Sequence, residues 1–325
     1  MIVLSNDDVA RLLPMHEAIG AVTRAMITVS SGGAEMPLRS VMPVGGDNRM
    51  GIMPGALSDP ACFGIKLISL FPGNAALGLS SHRGAYLLFE PATGAPVAMM
   101  DASLLTAIRT AAASGVATRA LARTDATRLA IIGYGEQAEH HLEAICAVRP
   151  VTHVHVAGRD PYKAAAFCAA ARKNHPDVAF QSGSDIRAAV ARADIICTVT
   201  AAPQPILEHL WLPRGCHVNV VGSSVPTMRE VDDDLVLHCS IWVDYLPSAL
   251  AQAGEIVDLI AAGRFTEGQL KGEIGMVLKA ELQGRITADE QTAYRSLGVA
   301  AQDLAVAHLI ADKAAKTGAG QKVAF

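Results

Sequence analysis

One short segment constrains the fold of this 325-residue chain more than any other. Residues 129–138 read Leu-Ala-Ile-Ile-Gly-Tyr-Gly-Glu-Gln-Ala, an apolar strand followed directly by a Gly-x-Gly-x-x-Ala turn. Polar and small helix-forming residues follow as far as Val148. A Gly-rich turn also occurs in other α/β folds, but the strand before it and the helix after it favour a dinucleotide-binding Rossmann turn.

Each residue of this turn has a physical role in that interpretation. Gly133 permits the tight turn from strand to helix, and Gly135 lets the backbone approach a pyrophosphate. Ala138 lets the helix pack closely on the sheet. The first amides of the helix, around Glu136 and Gln137, bind the anion. We therefore expect these five residues to contact a dinucleotide.

From about residue 127 onward, apolar strands alternate with Ala-rich helices. The predicted strands are 129–133, 153–157, 179–182, 195–200, 217–221 and 241–243, and the helices between them include 161–173 and 185–192. Alternation at this spacing is typical of a parallel, doubly wound sheet. The α/β pattern predicts a Rossmann domain over 125–287.

The region before it contains short strand-like segments separated by Gly and Pro, which predict an antiparallel or mixed sheet. Ser5 and Asp8 predict a capped helix start. The predicted strands are 2–4, 38–43, 50–54, 64–71, 85–89 and 97–101, with a hairpin turn at 90–94 and helices at 7–13, 16–29 and 102–121. The pattern is helical again over 288–316, before a frayed end at 317–320. We expect 1–124 and 288–325 to form a second domain.

The composition excludes some classes of partner. Charged residues are 18% of the chain and the formal net charge is −4, so no basic surface favours nucleic acid or an anionic membrane. The first residues lack the pattern of a signal peptide, and no uncharged apolar segment is long enough to span a bilayer. The cysteines are scattered without a Cys-x-x-Cys pair, which favours reduced thiols. We expect a cytoplasmic protein.

Several short motifs accompany the glycine turn in a fixed order. Before it stand Met36-Pro37-Leu38-Arg39, Gly64-Ile65-Lys66, Ser81-His82, Leu88-Phe89, Met100-Asp101 and Arg109-Thr110-Ala111-Ala112. After it stand Gly222-Ser223 with Pro226, Arg229-Glu230-Val231-Asp232, and Ser296-Leu297-Gly298 with Asp303. Over nearly its whole length, the chain resembles the ornithine cyclodeaminase/μ-crystallin family. The resemblance implies a doubly wound Rossmann sheet inserted into a second α+β domain, which carries substrate residues and a dimer interface, and hence a homodimer.

One departure from the family pattern bears on activity. Cyclodeaminases of the family have a Gly-x-Asp-x-Pro-Gly stretch whose aspartate acts on ornithine, and here Ser224 stands at the position of that acid. The asparagine-glycine-histidine stretch expected after the lysine is replaced by residues 69–74, Ser-Leu-Phe-Pro-Gly-Asn. The pattern resembles the branch of ketimine reductases, imino-acid reductases and alanine dehydrogenases. We therefore expect no ornithine cyclisation.

Three lone cations and one histidine are the candidate catalytic residues. Arg39 lies in an apolar strand-like segment, where it either faces solvent or holds a carboxylate in a cleft. Lys66 is also alone among apolar residues; burial would lower its pKa and suit it to acid chemistry, whereas the alternative is a surface lysine. Arg109 lies in a helix of small residues, with surface placement as its alternative. The resemblance favours a functional role for all three, while His82 either serves the substrate or is structural.

A second set of residues is expected to contact the adenine half and the phosphates of the cofactor. Arg109 and Thr110 are expected to pack against the cofactor, with the Thr110 hydroxyl donating to a phosphate oxygen. The second Rossmann strand ends in Gly158-Arg159-Asp160, where an NAD-selective domain usually has an acid for the ribose hydroxyls. Arg159 favours the 2′-phosphate of NADP, although arginine also stacks on adenine in NAD enzymes. Asp160 directly precedes a proline and is predicted to cap the next helix.

The nicotinamide is expected at the carboxyl ends of the strands, at the switch point of the sheet. The residues predicted to contact it are Thr198, Val199, Thr200, Val221, Gly222 and Ser223, and Gly298 completes the cofactor set. No metal site is predicted.

Together these features predict an NAD(P)H-dependent reductase of a small, anionic 2-imino acid, cyclic or open-chain. Arg39, Lys66 and Arg109 would hold the substrate carboxylate between the domains, and Lys66, or a water that it orients, would protonate the imine. Proline, pipecolate, alanine and aspartate all remain open as products. Two alternatives stand beside this prediction: an amino-acid dehydrogenase working in reverse, and a non-catalytic NADP(H)-binding protein like the crystallin relatives.

Overall fold

The computed structural model describes residues 1–324, with Ala75 described by its backbone alone. The chain forms two compact units, Met1–Thr110 together with the chain from Val299, and Ala111–Gly298. The sequence placed these boundaries after 124 and before 288. One boundary of the units lies inside a single long helix, and the other follows a strand that the sequence pattern did not reveal.

Both units contain strands and helices. In chain order the strands are β1 (Ile2–Leu4), β2 (Ala34–Glu35), β3 (Ser40–Gly45), β4 (Asn48–Ser58), β5 (Ala61–Leu70), β6 (His82–Phe89), β7 (Pro96–Asp101), β8 (Arg128–Ile132), β9 (His153–Ala157), β10 (Ala179–Gly183), β11 (Ile195–Thr198), β12 (His217–Val220), β13 (Ser240–Val243), β14 (Gly272–Glu273), β15 (Thr292–Arg295) and β16 (Gln321–Lys322). The α-helices are α1 (Asn6–Leu12), α2 (Met15–Ser30), α3 (Ala102–Leu121), α4 (Glu136–Val148), α5 (Pro161–Asn174), α6 (Ile186–Val190), α7 (Asp233–His238), α8 (Leu246–Gln252), α9 (Gly254–Ala261), α10 (Ile274–Leu278) and α11 (Ala300–Thr317).

The first unit is a mixed sheet covered by helices, as the sequence predicted. The strand order is β16-β1-β7-β6-β5-β4-β2, and β3 also pairs with β4. All pairs are antiparallel except β1 with β7. Helix α11 packs on β4 and β5 and against α2. Along β5, Cys62, Lys66 and Ile68 are buried in alternation, which is the period of a strand with one face on the core.

Several local predictions for the first 121 residues are confirmed. The Ser5 hydroxyl accepts from the Asp8 amide while the Asp8 carboxylate accepts from the Ser5 amide, a capping box that starts α1. Helix α3 spans the predicted residues 102–121. The 90–94 segment connects β6 to β7 as an antiparallel hairpin. Each of these features depends on residues that are close in sequence.

Two predictions for the C-terminal region are wrong. Residues 292–295, expected to be helical, form β15, which lies between β12 and β13. A strand buried on both faces lacks the alternation that reveals a half-exposed strand, so its four residues do not stand out in an Ala-rich context. The predicted frayed end instead turns at Gly318, whose φ is 72°, and continues into β16, which pairs with β1.

The second unit contains a fully parallel sheet. Its strand order is β10-β9-β8-β11-β12-β15-β13-β14, and every pair is parallel. Ile131 belongs to one buried apolar cluster, whereas its neighbours Ala130 and Ile132 belong to another. Both faces of the sheet are therefore covered, which confirms the doubly wound prediction. The chain order reverses between β8 and β11, where such sheets bind ligands.

Two further features bear on the class of protein. Over residues 1–324, none of the helices combines the length and apolarity that crossing a membrane requires. The cysteines in that range are free thiols, and all but Cys146 are buried.

Candidate active site

A buried cluster of charges lies at the centre of the first unit. The Lys66 ammonium on β5 donates to both carboxylate oxygens of Asp303 on α11, at 3.0 and 2.9 Å. Arg109 on α3 donates from Nε to the same carboxylate at 2.8 Å and from Nη1 to Gln302 Oε1 at 2.9 Å. Lys66 and Arg109 are 1% and 4% exposed, and Asp303 is fully buried. Two cations therefore share one carboxylate away from solvent.

Burial and the neighbouring charges together determine the pKa values in the cluster. Burial first, and then the Arg109 charge, lower the pKa of Lys66 to about 7, against the opposing effect of Asp303. Burial alone would raise the pKa of Asp303, but Arg109 and Lys66 outweigh it and hold that pKa below its ordinary value. Asp303 is therefore an anion, and Lys66 is the cation of the cluster that can exchange a proton near neutral pH.

Arg39 and His82 are electrostatically coupled to this cluster. Arg39 precedes β3, is half-buried, and its charge contributes to the lowered pKa of Lys66. His82 begins β6, keeps solvent access, and lies 2.9 Å through Nδ1 from the Ser81 hydroxyl. Partial desolvation and then the Lys66 charge lower the pKa of His82. The other three predicted catalytic residues thus interact electrostatically with Lys66.

The structure decides two alternatives and adds two residues. The surface placements considered for Lys66 and Arg109 are wrong, because both side chains are buried. Asp303 and Gln302 were not predicted as site residues, although Asp303 appeared in a motif. A signal was available: a buried lone cation needs an acid, and Asp303 interrupts a helix whose neighbouring residues are otherwise mostly apolar.

The glycine turn of the second unit has the shape that a pyrophosphate requires. Gly133 has a φ of 122°, and a Cβ there would lie 2.8 Å from the carbonyl oxygen of Val199. Gly135 is the N-cap of α4, with no side-chain cap and open space around its Cα. Ala138 is fully buried in the apolar cluster beneath α4, whereas Glu136 is exposed and Gln137 is half-buried. The helix start is thus left open to an anion.

The end of β9 is arranged around Asp160. Its carboxylate accepts from the amides of Tyr162 and Lys163 at 2.9 and 3.1 Å and caps α5, which confirms the capping prediction. Its own amide donates to the Tyr134 hydroxyl of the glycine turn at 3.2 Å. Arg159 is exposed and the preceding Gly158 is buried. The side chain at this strand end that faces solvent is therefore a cation rather than an acid.

The predicted nicotinamide segments are fixed by buried polar groups that the sequence did not indicate. Glu230 accepts from the hydroxyl of Thr198, from the amide and hydroxyl of Thr200, and from the amide of Gly222. Arg295, paired with Glu255, donates to the Ser223 carbonyl and hydroxyl at 2.8 and 2.9 Å. Hydrogen bonds with buried side chains therefore fix both segments.

The remaining cofactor predictions fall at three further positions. The Gly298 amide donates to Asp244 at 2.7 Å, Val221 is buried directly after β12, and Thr110 is half-buried on α3. Within residues 1–324, no cluster of His, Cys, Asp and Glu is arranged to hold a metal ion. The glycine turn, the uncapped start of α4 and the reversal between β8 and β11 fit a dinucleotide; which residues contact it stays a prediction.

Comparison with known proteins agrees with this geometry. The sequence profile of the ornithine cyclodeaminase/mu-crystallin family matches residues 1–318. The chain belongs to this family. It is 33% identical over 329 residues to a delta(1)-pyrroline-2-carboxylate reductase of Bacillus cereus, with 100% of both chains covered.

Two solved structures in the family are similar over almost the whole chain. One is Thermococcus litoralis delta(1)-pyrroline-2-carboxylate reductase in complex with NADH and L-proline, 34% identical, with a TM-score of 0.96 and 99% and 100% of the two chains covered. The other is an archaeal alanine dehydrogenase dimer with bound NAD, 30% identical, with a TM-score of 0.93 and 100% and 99% covered. Both confirm the predicted fold class and the family resemblance.

Proposed function

We propose that this protein is an NAD(P)H-dependent reductase that converts a small 2-imino acid to the L-amino acid. The observation that carries the proposal is the Lys66–Asp303–Arg109 cluster, in which two buried cations share one carboxylate. The Thermococcus litoralis relative, a reductase of a cyclic 2-imino acid, was solved with NADH and L-proline. A substrate of this class carries the one anionic group that the cluster lacks.

The charge balance explains why an α-carboxylate is the expected ligand. When Lys66 is protonated, the cluster carries one net positive charge, and Arg39 adds a second nearby. Asp303 fixes Lys66 and Arg109 without neutralising both, so a substrate carboxylate gains charge-assisted hydrogen bonds from groups that are already oriented. Binding of that anion in turn stabilises the protonated form of Lys66.

Proton delivery falls to Lys66 in this proposal. An imine accepts a hydride at carbon only as its nitrogen gains a proton, and an ammonium with a pKa of about 7 is matched to that task at neutral pH. When bound, the reduced nicotinamide supplies the hydride to the imine carbon. The overall change consumes one NAD(P)H and one proton and yields the amino acid and NAD(P)⁺.

The proposal excludes cyclodeaminase chemistry. Ser224 stands where the acid of the cyclodeaminase pattern is expected, and a hydroxyl cannot act as a carboxylate base at neutral pH. Incubation with ornithine and NAD⁺ should therefore release neither ammonia nor proline. Ammonia release that persists in Lys66→Met, where the proposed site is disabled, would identify a different catalytic centre.

For the cofactor, we propose a preference for NADP(H) over NAD(H). Arg159 is the exposed residue at the end of β9, and the carboxylate of Asp160 is already used to cap α5. An acid that accepts two backbone amides is poorly placed to accept from both ribose hydroxyls, whereas a guanidinium can pair with a 2′-phosphate.

A homodimer is the proposed assembly. Strand β3 is exposed along its length and pairs only with β4 among the described strands. It carries Val41, Met42 and Val44, each at least 40% exposed. An exposed apolar edge strand is a surface suited to association, and the alanine dehydrogenase relative was solved as a dimer.

Sedimentation velocity should give a dimer. The double variant Val41→Lys with Val44→Lys should shift the equilibrium toward monomer, because it places charges on the exposed apolar strand. A monomeric wild-type protein would refute the proposed assembly.

The decisive experiment for the activity is absorbance at 340 nm with NADH or NADPH and a panel of imino acids. The panel should contain pyrroline-2-carboxylate, its six-membered homologue, iminosuccinate, and pyruvate with ammonium. Oxidation of the cofactor with one of these imino acids, but not with pyruvate when ammonium is left out, supports the proposal. Turnover only with amino acids and NAD(P)⁺ would favour a dehydrogenase, and cofactor binding without turnover would favour a non-catalytic binding protein.

A further inference from the structure

Glu230 is a fully buried carboxylate that no predicted role explains. It lies in the segment that connects β12 to α7, and its side chain is inaccessible to solvent. Oε1 accepts from the amide and the hydroxyl of Thr200, both at 2.7 Å. Oε2 accepts from the Thr198 hydroxyl at 2.8 Å and from the Gly222 amide at 2.6 Å. A carboxylate offers about four acceptor positions, and here all are used.

Among the described residues, the donors lie at the carboxyl end of β11, with the residues just after it, and just after β12. These segments approach each other as closely as a backbone allows. A Cβ on Gly222 would lie 2.0 Å from the Thr200 carbonyl oxygen and 2.5 Å from Glu230 Oε1. Glu230 therefore ties together two strand ends that meet through a glycine.

The backbone around Glu230 extends the same connection. Its carbonyl oxygen accepts from the amides of Ile206 and Leu207, at 2.8 and 3.0 Å, which anchors the chain that leaves Thr200. On the other side, the Val199 carbonyl lies against Gly133 of the glycine turn. A displacement of Thr200 would thus affect both the β12 end and the turn predicted to hold the pyrophosphate.

Glu230 is balanced by neutral groups. In the part of the chain that the structure describes, no lysine or arginine hydrogen-bonds to it, and burial raises its pKa despite the four donors. A buried carboxylate without a counter-ion is costly unless its hydrogen bonds are complete. Such a group is more effective at fixing the direction of N–H and O–H groups than at supplying charge.

We infer that Glu230 is a positioning residue, which holds the ends of β11 and β12 in the arrangement that receives the nicotinamide half of the cofactor. The inference rests on the proposed function, because it requires that a nicotinamide dinucleotide binds at this edge of the sheet. Glu230 itself acts through Thr200 and Gly222. Its substitution should weaken binding of the nicotinamide half more than binding of the ADP half.

The test compares two ligands in the full-length protein by isothermal titration calorimetry. They are NADH with ADP-ribose, or NADPH with 2′-phospho-ADP-ribose, whichever dinucleotide the wild-type protein binds more tightly. In Glu230→Gln, either orientation of the amide places an NH₂ group against two donors, one of them a backbone amide. We expect its Kd for the dinucleotide to rise about 10–100-fold and its Kd for the ADP-ribose ligand to rise less than about threefold.

Thr198→Val serves if Glu230→Gln does not fold. It keeps the shape of the side chain and removes one donor, so the same selective loss should be smaller, about 3–10-fold. Asp194→Asn is the matched control, because Asp194 accepts from the Thr127 and Arg128 amides at 3.0 Å each, at the opposite ends of the strands. It should leave the ratio of the two Kd values unchanged.

The outcomes separate the inference from the proposed function. If the wild-type protein binds neither ligand, the proposed function fails and the inference fails with it. If the wild-type protein binds both, but Glu230→Gln or Thr198→Val weakens both equally or neither, the proposed function stands and the positioning role is wrong. A rise confined to the dinucleotide, together with a fall in kcat, supports it.

Discussion

Two buried carboxylates, one in each unit, are surrounded in opposite ways. Asp303 in the first unit faces two cations, Lys66 and Arg109. Among the described residues, Glu230 in the second unit accepts only from hydroxyls and backbone amides. Both side chains are fully buried, so solvent does not account for the difference.

The difference concerns what each cluster leaves unsatisfied. The Asp303 cluster has more positive than negative charge, and a further anion would complete it. The Glu230 cluster is complete in hydrogen bonds and has no position for another ligand. The first arrangement is suited to binding a substrate and moving a proton, and the second to holding backbone in place.

The largest expected effect comes from removing the single anion of the first cluster. Asp303→Asn leaves Lys66 and Arg109 buried without a counter-ion, and we expect the free energy of unfolding to fall by about 3–5 kcal/mol. Urea denaturation at neutral pH measures it. Asp289→Asn, in the exposed pair with Arg214, is the control and should change the free energy by less than about 1 kcal/mol. Equal losses in the two variants would show that Asp303 is not the counter-ion of the cluster.

Next in size is the loss of the exchangeable proton. Lys66→Met keeps most of the side-chain volume, so the fold should survive while kcat/KM for imine reduction falls by about 10²–10⁴-fold. In the wild-type protein kcat/KM should decline as pH rises through about 7, where Lys66 loses its proton. The residual activity of Lys66→Met should lack this decline. A folded variant with full activity would make Lys66 a structural ion-pair partner only.

How far the sequence predicted these two clusters depends on the distance between their members. The glycine turn, the bounds of α3, the capping box at Ser5 and the Asp160 cap all depend on neighbours within a few residues, and all four segments formed as expected. Lys66 and Arg109 could be recognised as cations in apolar segments. Their shared partner could not, because Asp303 lies 237 residues from Lys66 and 194 from Arg109.

The same limit explains the missed strands and the missed carboxylate. β15 pairs with β12 and β13, both distant in sequence, and its four buried residues have no alternation to reveal them. Glu230 lies within a recognised motif, but its donors Thr198 and Thr200 are about thirty residues away. The local sequence shows which residues have unusual neighbours in the chain, but it does not show which of these residues contact each other in the folded protein.

Arg159 differs from the residues of both clusters because it is exposed and belongs to neither. If it pairs with the 2′-phosphate, Arg159→Ala should raise KM for NADPH by about 10–100-fold and leave KM for NADH nearly unchanged. Steady-state kinetics with both cofactors measures this. Equal increases for the two cofactors would mean that Arg159 stacks on the adenine.

A final expected effect is a pH-dependent gain in stability on removing Lys66. The pKa of Lys66 falls from 10.5 in the unfolded chain to about 7 in the folded one. Between these values the unfolded state binds more protons, so the wild-type free energy of unfolding rises with pH. Below pH 7 the buried ammonium is charged and its full cost is present. Lys66→Met lacks this cost, and its Asp303 keeps Arg109 as a counter-ion.

The variant should therefore be more stable than the wild-type protein at mildly acidic pH, and this gain should shrink as the pH rises from about 7 toward the pKa of free lysine. Urea denaturation of both proteins at about pH 6 and about pH 10 measures the difference, and common pH effects on other groups cancel between them. Lys316→Met, which removes an exposed lysine, is the control and should show no such trend over this window. A gain that is constant with pH would mean that Lys66 keeps its proton in the folded chain throughout, and proton donation to the imine would then need another group.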